Sequence, residues 1–135
     1  MNNDYLVKDV MLKLGKFPVV RENELLRESI EEINKFGLGI ACIIDSKNML
    51  IGVLTDGDIR RLILRVQKPL AAIFVDEAFS YSTKNFAKVN ESTSLKEALF
   101  KMEELNIWDL PVTDRKGNLK GLLHLHPALK FVLGI

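Results

Sequence analysis

This chain is poor in the residues that would point away from an ordinary packed domain. A single cysteine, Cys42, leaves no internal disulfide to be made. It stands in an apolar run, where a thiol behaves as a small hydrophobe in a reducing, cytoplasmic setting. No apolar run approaches the ~18 residues of a membrane span. Met1-Asn2-Asn3-Asp4 lacks the basic-then-apolar order of a secretory signal. Neither sign of charge dominates: 19 Lys and Arg against 18 Asp and Glu give a net charge of +1, so no basic surface argues for nucleic acid. The two histidines, His124 and His126, have no third ligand at matching spacing. A zinc site needs three or four, so no metal is expected, and no nucleophile–base constellation marks a catalytic residue. What is present is 135 residues of 47% hydrophobic content, enough for one compact domain or two small, intimately packed ones.

The chain repeats itself. Gly121-Leu122-Leu123 echoes Gly52-Val53-Leu54, and the offset that carries Gly52 to Gly121 also carries Phe17 to Phe86, Val20 to Val89, Leu26 to Leu95, Glu28 to Glu97, Asp45 to Asp114 and Leu50 to Leu119. So many matches at one spacing mean two copies of one small fold. Each copy reads strand, helix, strand, strand, helix. The first strands are Phe17–Val20 and Phe86–Val89. The helices carry apolar positions at Leu26, Ile30 and Ile33, and at Leu95, Ala98, Leu99, Met102 and Leu105. Ser94 with Glu97 fits a capping box. Ile40–Ile44 has no polar alternation and reads as a strand buried on both faces; Leu110–Thr113 is its counterpart. Asp45-Ser46-Lys47-Asn48 and Asp114-Arg115-Lys116-Gly117-Asn118 are hairpin turns. The division expected is residues 1–69 for the first repeat with its N-terminal segment, and 70–135 for a linker and the second repeat. The linker, Gln67 to Ser82, reads as a short irregular helix and loop. The constant offset sets its Asp76–Ser80 in the place of Val7–Met11.

The segment Gly52-Val53-Leu54-Thr55-Asp56-Gly57-Asp58-Ile59-Arg60-Arg61 carries the most chemistry. An apolar strand stops at Thr55, and Ile59, Leu62, Ile63 and Val66 then mark one helical face. Thr55 therefore caps a helix, whose N–H groups and dipole suit a phosphate. The alternative is a capped helix and nothing more. Asp58, one turn in, is expected to stand solvent-exposed, open to a sugar diol. Arg60 reads as solvated, and Arg61 is either solvated or a neutraliser of ligand phosphate. In the second copy the equivalent positions hold His124 and Pro127. On a strand His124 and His126 would share a face. Trp108 takes the place of Gly39.

The order of elements, ending in Gly-Val-Leu-Thr-Asp-Gly-Asp, resembles the CBS domain, and two in tandem resemble the CBS-pair regulatory module. The resemblance implies an α/β (α+β) fold of two β-α-β-β-α repeats related by an approximate twofold, sheet packed against sheet. Its Thr-x-x-Asp element matches Thr55 and Asp58. By that resemblance these two contact the phosphate and the ribose hydroxyls of a nucleotide in a cleft between the repeats. Asp56 and Arg61 stand nearby, Pro18-Val19 and Ile40-Ala41 border the base, and His124 and His126 approach from the second copy. Val7-Lys8-Asp9-Val10-Met11, Pro18, Thr55 to Arg61 and Leu123-His124-Leu125-His126 are similar to the C-terminal CBS pair of bacterial arabinose 5-phosphate isomerases. Those enzymes carry their catalysis in a sugar-isomerase (SIS) domain and serve lipopolysaccharide or capsule synthesis. The Thr-Asp-Gly-Asp-Ile-Arg-Arg run also occurs in CBS pairs fused to sugar-phosphate nucleotidyltransferases. The resemblance thus implies a non-catalytic, cytoplasmic nucleotide sensor. Its ligand would be an adenine nucleotide (AMP, ADP or ATP) or a CMP-linked eight-carbon sugar, and its partners a second copy in a homodimer and a fused or separate SIS domain. The alternative is a structural, oligomerising module with an empty site.

Overall fold

The structure, a computed structural model, describes residues 5–135; Met1–Asp4, where no signal pattern was read, lie outside the described residues. In chain order the elements are α1 (Val7–Val10), β1 (Leu12–Lys13), β2 (Val19–Arg21), α2 (Leu26–Phe36), β3 (Ile40–Ile44), β4 (Leu50–Thr55), α3 (Asp56–Arg65), α4 (Leu70–Phe74), a 3₁₀ turn (Ala78–Tyr81), β5 (Val89–Asn90), α5 (Leu95–Leu105), β6 (Asp109–Thr113), β7 (Leu119–His124) and α6 (Leu125–Leu133). Two compact units result. One is Gly15–Phe86; the other joins the segment through Leu14 to Ala87–Ile135.

In the first unit β3 is the central strand, parallel to β2 and antiparallel to β4. All five residues of β3 are buried, as its unbroken apolar run requires. Val20, Leu26, Ile33, Ala41, Ile43, Leu54 and Leu62 form the core with Ile73 and Ala78. The apolar stripe of α2 therefore lies on the sheet, and the helix ends at Gly37, whose φ of 68° is the left-handed cap a glycine makes cheaply. The linker contributes too, through α4 and the 3₁₀ turn.

The second unit has the strand order β1-β7-β6-β5, again with one parallel pair (β5 with β6) and one hairpin (β6 with β7). Its core is Val7, Val89, Leu95, Ala98, Met102, Leu110, Val112, Leu123 and Ala128. The hairpin turns match in detail across the repeats. Asp45 Oδ1 accepts from Lys47 and Met49 N–H at 2.8 and 3.0 Å, and Asp114 Oδ1 from Lys116 and Asn118 N–H at 2.9 Å each. Of the Ser94–Glu97 box the described residues show the forward bond, Glu97 N–H to Ser94 Oγ at 3.1 Å.

The compact units change over after Leu14 and after Phe86. Each repeat's leading segment packs on the other repeat. Val7 N–H donates to Thr93 O and Leu95 N–H to Tyr5 O; in the first unit Ala78 N–H donates to Glu24 O and Leu26 N–H to Asp76 O. Thr93 and Leu95 keep the repeat offset from Glu24 and Leu26. Ala78 and Asp76 stand two positions farther from Val7 and Tyr5 than that offset allows. The segment equivalent to Val7–Met11 is thus 78–82, not the 76–80 that the constant offset selects. Leu12 pairs with Leu122 on β7, and Thr83, its counterpart by the longer offset, bridges Val53 on β4.

A glycine on each hairpin admits the visiting segment. A Cβ at Gly121 would lie 2.6 Å from both Leu12 O and Met11 Sδ, and one at Gly52 would lie 2.8 Å from Ser82 Oγ. Among the described residues no helix is long and apolar enough to cross a membrane.

Candidate functional site

The first unit gathers eight of the ten expected site residues at one end of its sheet. Ile40, at the start of β3, pairs with Thr55 at the end of β4. Pro18 O accepts from Cys42 N–H at 3.0 Å, and Val19 stands opposite Cys42. So the starts of β2 and β3 lie beside the head of α3. Pro18, Ile40 and Ala41 are buried, which leaves their backbone as the part a ligand could meet.

Thr55 is extended (φ −111°, ψ 164°) and caps α3. Its Oγ1 accepts from Asp58 N–H at 3.1 Å, while Asp58 Oδ2 accepts from Thr55 N–H at 2.9 Å and from Thr55 Oγ1 at 3.0 Å. Asp58 Oδ1 accepts from Arg61 Nη2 at 2.9 Å and from Thr83 Oγ1 at 2.8 Å. A carboxylate has about four acceptor positions, and all of them are taken. The Asp58 side chain is only 8% exposed, so the expected open, solvent-facing carboxylate is corrected. Burial pushes its pKa up, but the bonds from Thr55 N–H, Thr83, Arg61 and the Thr55 hydroxyl outweigh that and hold it below its ordinary value.

The two other charged candidates cover the same turn. Asp56 N–H donates to Gly39 O at 3.0 Å, and its carboxylate lies over Gly39, where a Cβ would come within 2.8 Å of Oδ2. The Arg61 guanidinium lies over Gly57, with Nη1 3.2 Å from the place of a Cβ. Arg61 is thus held at the head of α3 by Asp58, and Arg60 is exposed.

The second unit keeps the backbone of this junction and changes its chemistry. Leu125 N–H donates to Trp108 O at 2.9 Å, the same bond that joins Asp56 to Gly39. His124, in the place of Thr55, pairs through Nδ1 with Asp109 Oδ1 at 2.7 Å. His126 is in the first turn of α6, not on the strand. It is exposed, so the reading of both histidines on one strand face is corrected. Pro127, in the place of Asp58, has no side chain to reciprocate a cap. Trp108 is 69% exposed.

Two participants escaped the sequence reading. Thr83 lies just beyond the linker as drawn, and only its bridge to Val53 carries it to Asp58. Asp109 had a signal: it is a carboxylate in the place of Ile40, at the head of an otherwise apolar strand. Among the described residues no buried side-chain nitrogen or oxygen lacks a partner.

The CBS domain family profile matches residues 7–65 and 77–130. Among curated proteins the chain is similar to the arabinose 5-phosphate isomerase KdsD of Francisella tularensis, with 29% identity over 94% of this chain and 37% of that one. The chain thus spans little more than a third of that relative's length. Among solved structures it is similar to CBSX2 in complex with AMP, with TM-score 0.84 and 25% identity, covering 96% of this chain and 97% of that one. It also shares its fold with the CBS domain pair of protein MJ0100 in complex with 5′-methylthioadenosine and S-adenosyl-L-methionine, with TM-score 0.78, 21% identity and 96% of both chains covered. With two profile matches, two copies of one strand–helix–strand–strand–helix unit and a capped Thr-x-x-Asp turn in the first, the chain belongs to the CBS domain family, as a tandem CBS pair.

Proposed function

We propose that this CBS pair is a regulatory module that binds an adenine nucleotide through its first repeat. The head of α3, which Thr55 caps, meets the phosphate, Asp58 reads the ribose diol, and the backbone at Pro18-Val19 and Ile40-Ala41 borders the base. The observation that carries this reading is the convergence of these residues at one end of the β2-β3-β4 sheet. The similarity to CBSX2, which is described in complex with AMP, supports it. The second repeat, with His124 and Pro127 in the places of Thr55 and Asp58, lacks the carboxylate that would read a second ribose.

The module serves as a sensor, with catalysis elsewhere. The similarity to KdsD points to an arabinose 5-phosphate isomerase as the protein it regulates, fused or separate. For the same reason a CMP-linked eight-carbon sugar is a second ligand to test, as an end product of the route to lipopolysaccharide. Phe100, Leu129 and Leu133 on α5 and α6 are 63%, 42% and 67% exposed and would serve a homodimer. Calorimetric titration with AMP tests the reading. Binding should weaken at least tenfold in Asp58→Asn, which keeps the size of the side chain but loses its charge. Equal affinity in the two chains refutes the assignment of Asp58, and no heat with any adenine nucleotide or CMP-sugar leaves the structural, oligomerising role.

A further inference from the structure

We propose that Thr83 and Arg61 hold the nucleotide site closed against its own ligand: they occupy the two acceptor positions of Asp58 that a ribose diol needs, and both must let go when it binds. The inference rests on the adenine-nucleotide reading and adds to it the residues that set the affinity. A diol brings two O–H donors. The four positions on Asp58 are filled by two donors of Thr55, on Oδ2, and by Thr83 Oγ1 and Arg61 Nη2, on Oδ1. A ligand hydroxyl can therefore be accepted only by displacing a donor already present.

The two pairs differ in how they are held. The Thr55 N–H is fixed by the backbone at the end of β4, and its hydroxyl is locked from the other side by accepting the Asp58 N–H. Thr83 and Arg61 hold on by side-chain torsions. Thr83 donates its N–H to Val53 O at 2.8 Å, and its O accepts from Val53 N–H at 3.0 Å. Rotation about its χ1 thus withdraws the hydroxyl without loosening the segment. The Arg61 side chain is 46% exposed, and its guanidinium already lies over Gly57 in the first turn of α3. Released from Asp58, it is within reach of a phosphate at that helix N-terminus, where a guanidinium binds bidentately. One exchange thus frees the carboxylate for the sugar and the cation for the phosphate. It also makes Thr83 a competitor rather than a contact.

The test uses calorimetry with AMP and with adenosine, on the full chain and its variants. Thr83→Val removes the competing donor and keeps the shape. It should tighten both ligands about tenfold, the worth of one hydrogen bond to a charged group, while lowering the melting temperature of the unliganded chain. Thr83→Ser keeps the hydroxyl and should not show the gain. Thr83→Ala stands in if the valine variant does not fold. Arg61→Met should tighten adenosine and narrow the advantage of AMP over adenosine. Unchanged or weaker binding of AMP to Thr83→Val and Thr83→Ala, with AMP still bound by the unaltered chain, overturns the inference and leaves the nucleotide reading standing. The same holds if Arg61→Met leaves the AMP-to-adenosine ratio where it was. Failure of every chain to bind either ligand overturns both.

Discussion

The two repeats build the same strand-to-helix junction and furnish it differently. In the first, Thr55 and Asp58 close a reciprocal cap, and Thr83 and Arg61 complete the shell of the carboxylate. In the second, His124 and Pro127 take the places of Thr55 and Asp58. Leu12, set against Leu122 as Thr83 is against Val53, takes the place of Thr83. Polar donor and acceptor vanish together: where the carboxylate is gone, the hydroxyl that reached it has become an aliphatic side chain. A buried carboxylate without donors and a hydroxyl without a partner would each cost free energy, so the pair is kept or lost as a pair. The second unit places a different pair at the ends of its strands, His124 with Asp109. Duplication thus preserved the backbone, including the bond from residue 56 or 125 to residue 39 or 108, and left the side chains free to diverge.

The largest test of this comparison is at the two hairpin glycines. Gly121→Ala drives a Cβ against the Leu12 carbonyl, which belongs to a paired strand and has nowhere to go. Gly52→Ala meets the Ser82 hydroxyl and the edge of the Phe79 ring, which can turn aside. Urea denaturation should give a loss of about 3 kcal/mol for the first and about 1 kcal/mol for the second. Equal losses would show that the leading segments are held with equal firmness.

Next come the two carboxylates. Asp58→Ala strips partners from the Thr55 N–H and from the Thr83 hydroxyl and should cost about 2–3 kcal/mol. Asp109→Ala breaks the pair with His124 at a more exposed place, 15% against 8% for Asp58, and should cost about 1 kcal/mol. The ranking, read from thermal or chemical unfolding, is the point at issue.

Ligand binding sharpens the contrast further. Thr55→Ala should weaken AMP about tenfold, through loss of the cap and of the hydroxyl, whereas His124→Ala should change affinity less than about twofold. A larger effect at His124 in calorimetry would move the ligand's weight to the second repeat.

The smallest effect is on pH. The Asp58 carboxyl is held below its ordinary value in the folded chain, so as pH falls the unfolded chain takes up its proton first. Its contribution to stability is whole above the ordinary carboxylate value and fades as pH falls through the lowered one. Denaturation midpoints of the unaltered chain and of Asp58→Asn should therefore draw together on acidification, with the gap fully open at neutral pH.

Much of this was legible in the order of residues because it is decided locally. Ile40–Ile44 had to be an interior strand, since five apolar residues in a row have no face for water. Thr55 had to cap, because a hydroxyl at the end of a strand and the start of an apolar helical stripe finds the N–H three residues on. The turns at Asp45 and Asp114 follow from an aspartate that binds its own backbone. The repeat itself needed nothing beyond spacing, and the family was reached by resemblance, through the order of elements and the Thr-x-x-Asp turn.

The tertiary structure decided what joins residues far apart. The packing of Val7–Lys13 and of the segment around 78–83, each on the other repeat, gives the compact units Gly15–Phe86 and Ala87–Ile135 with the segment through Leu14. It also moved the leading segment of the second repeat two positions beyond the offset that relates the rest of the two copies. That exchange brings Thr83 to Asp58, 25 residues away, and turns an expected open acceptor into a saturated one. The physical reason is the range of the forces involved. Helix periodicity, caps and turns are set by near neighbours in the chain, and sequence records them directly. The occupancy of a carboxylate is set by whichever donors the packed chain carries to it, and only the fold chooses those.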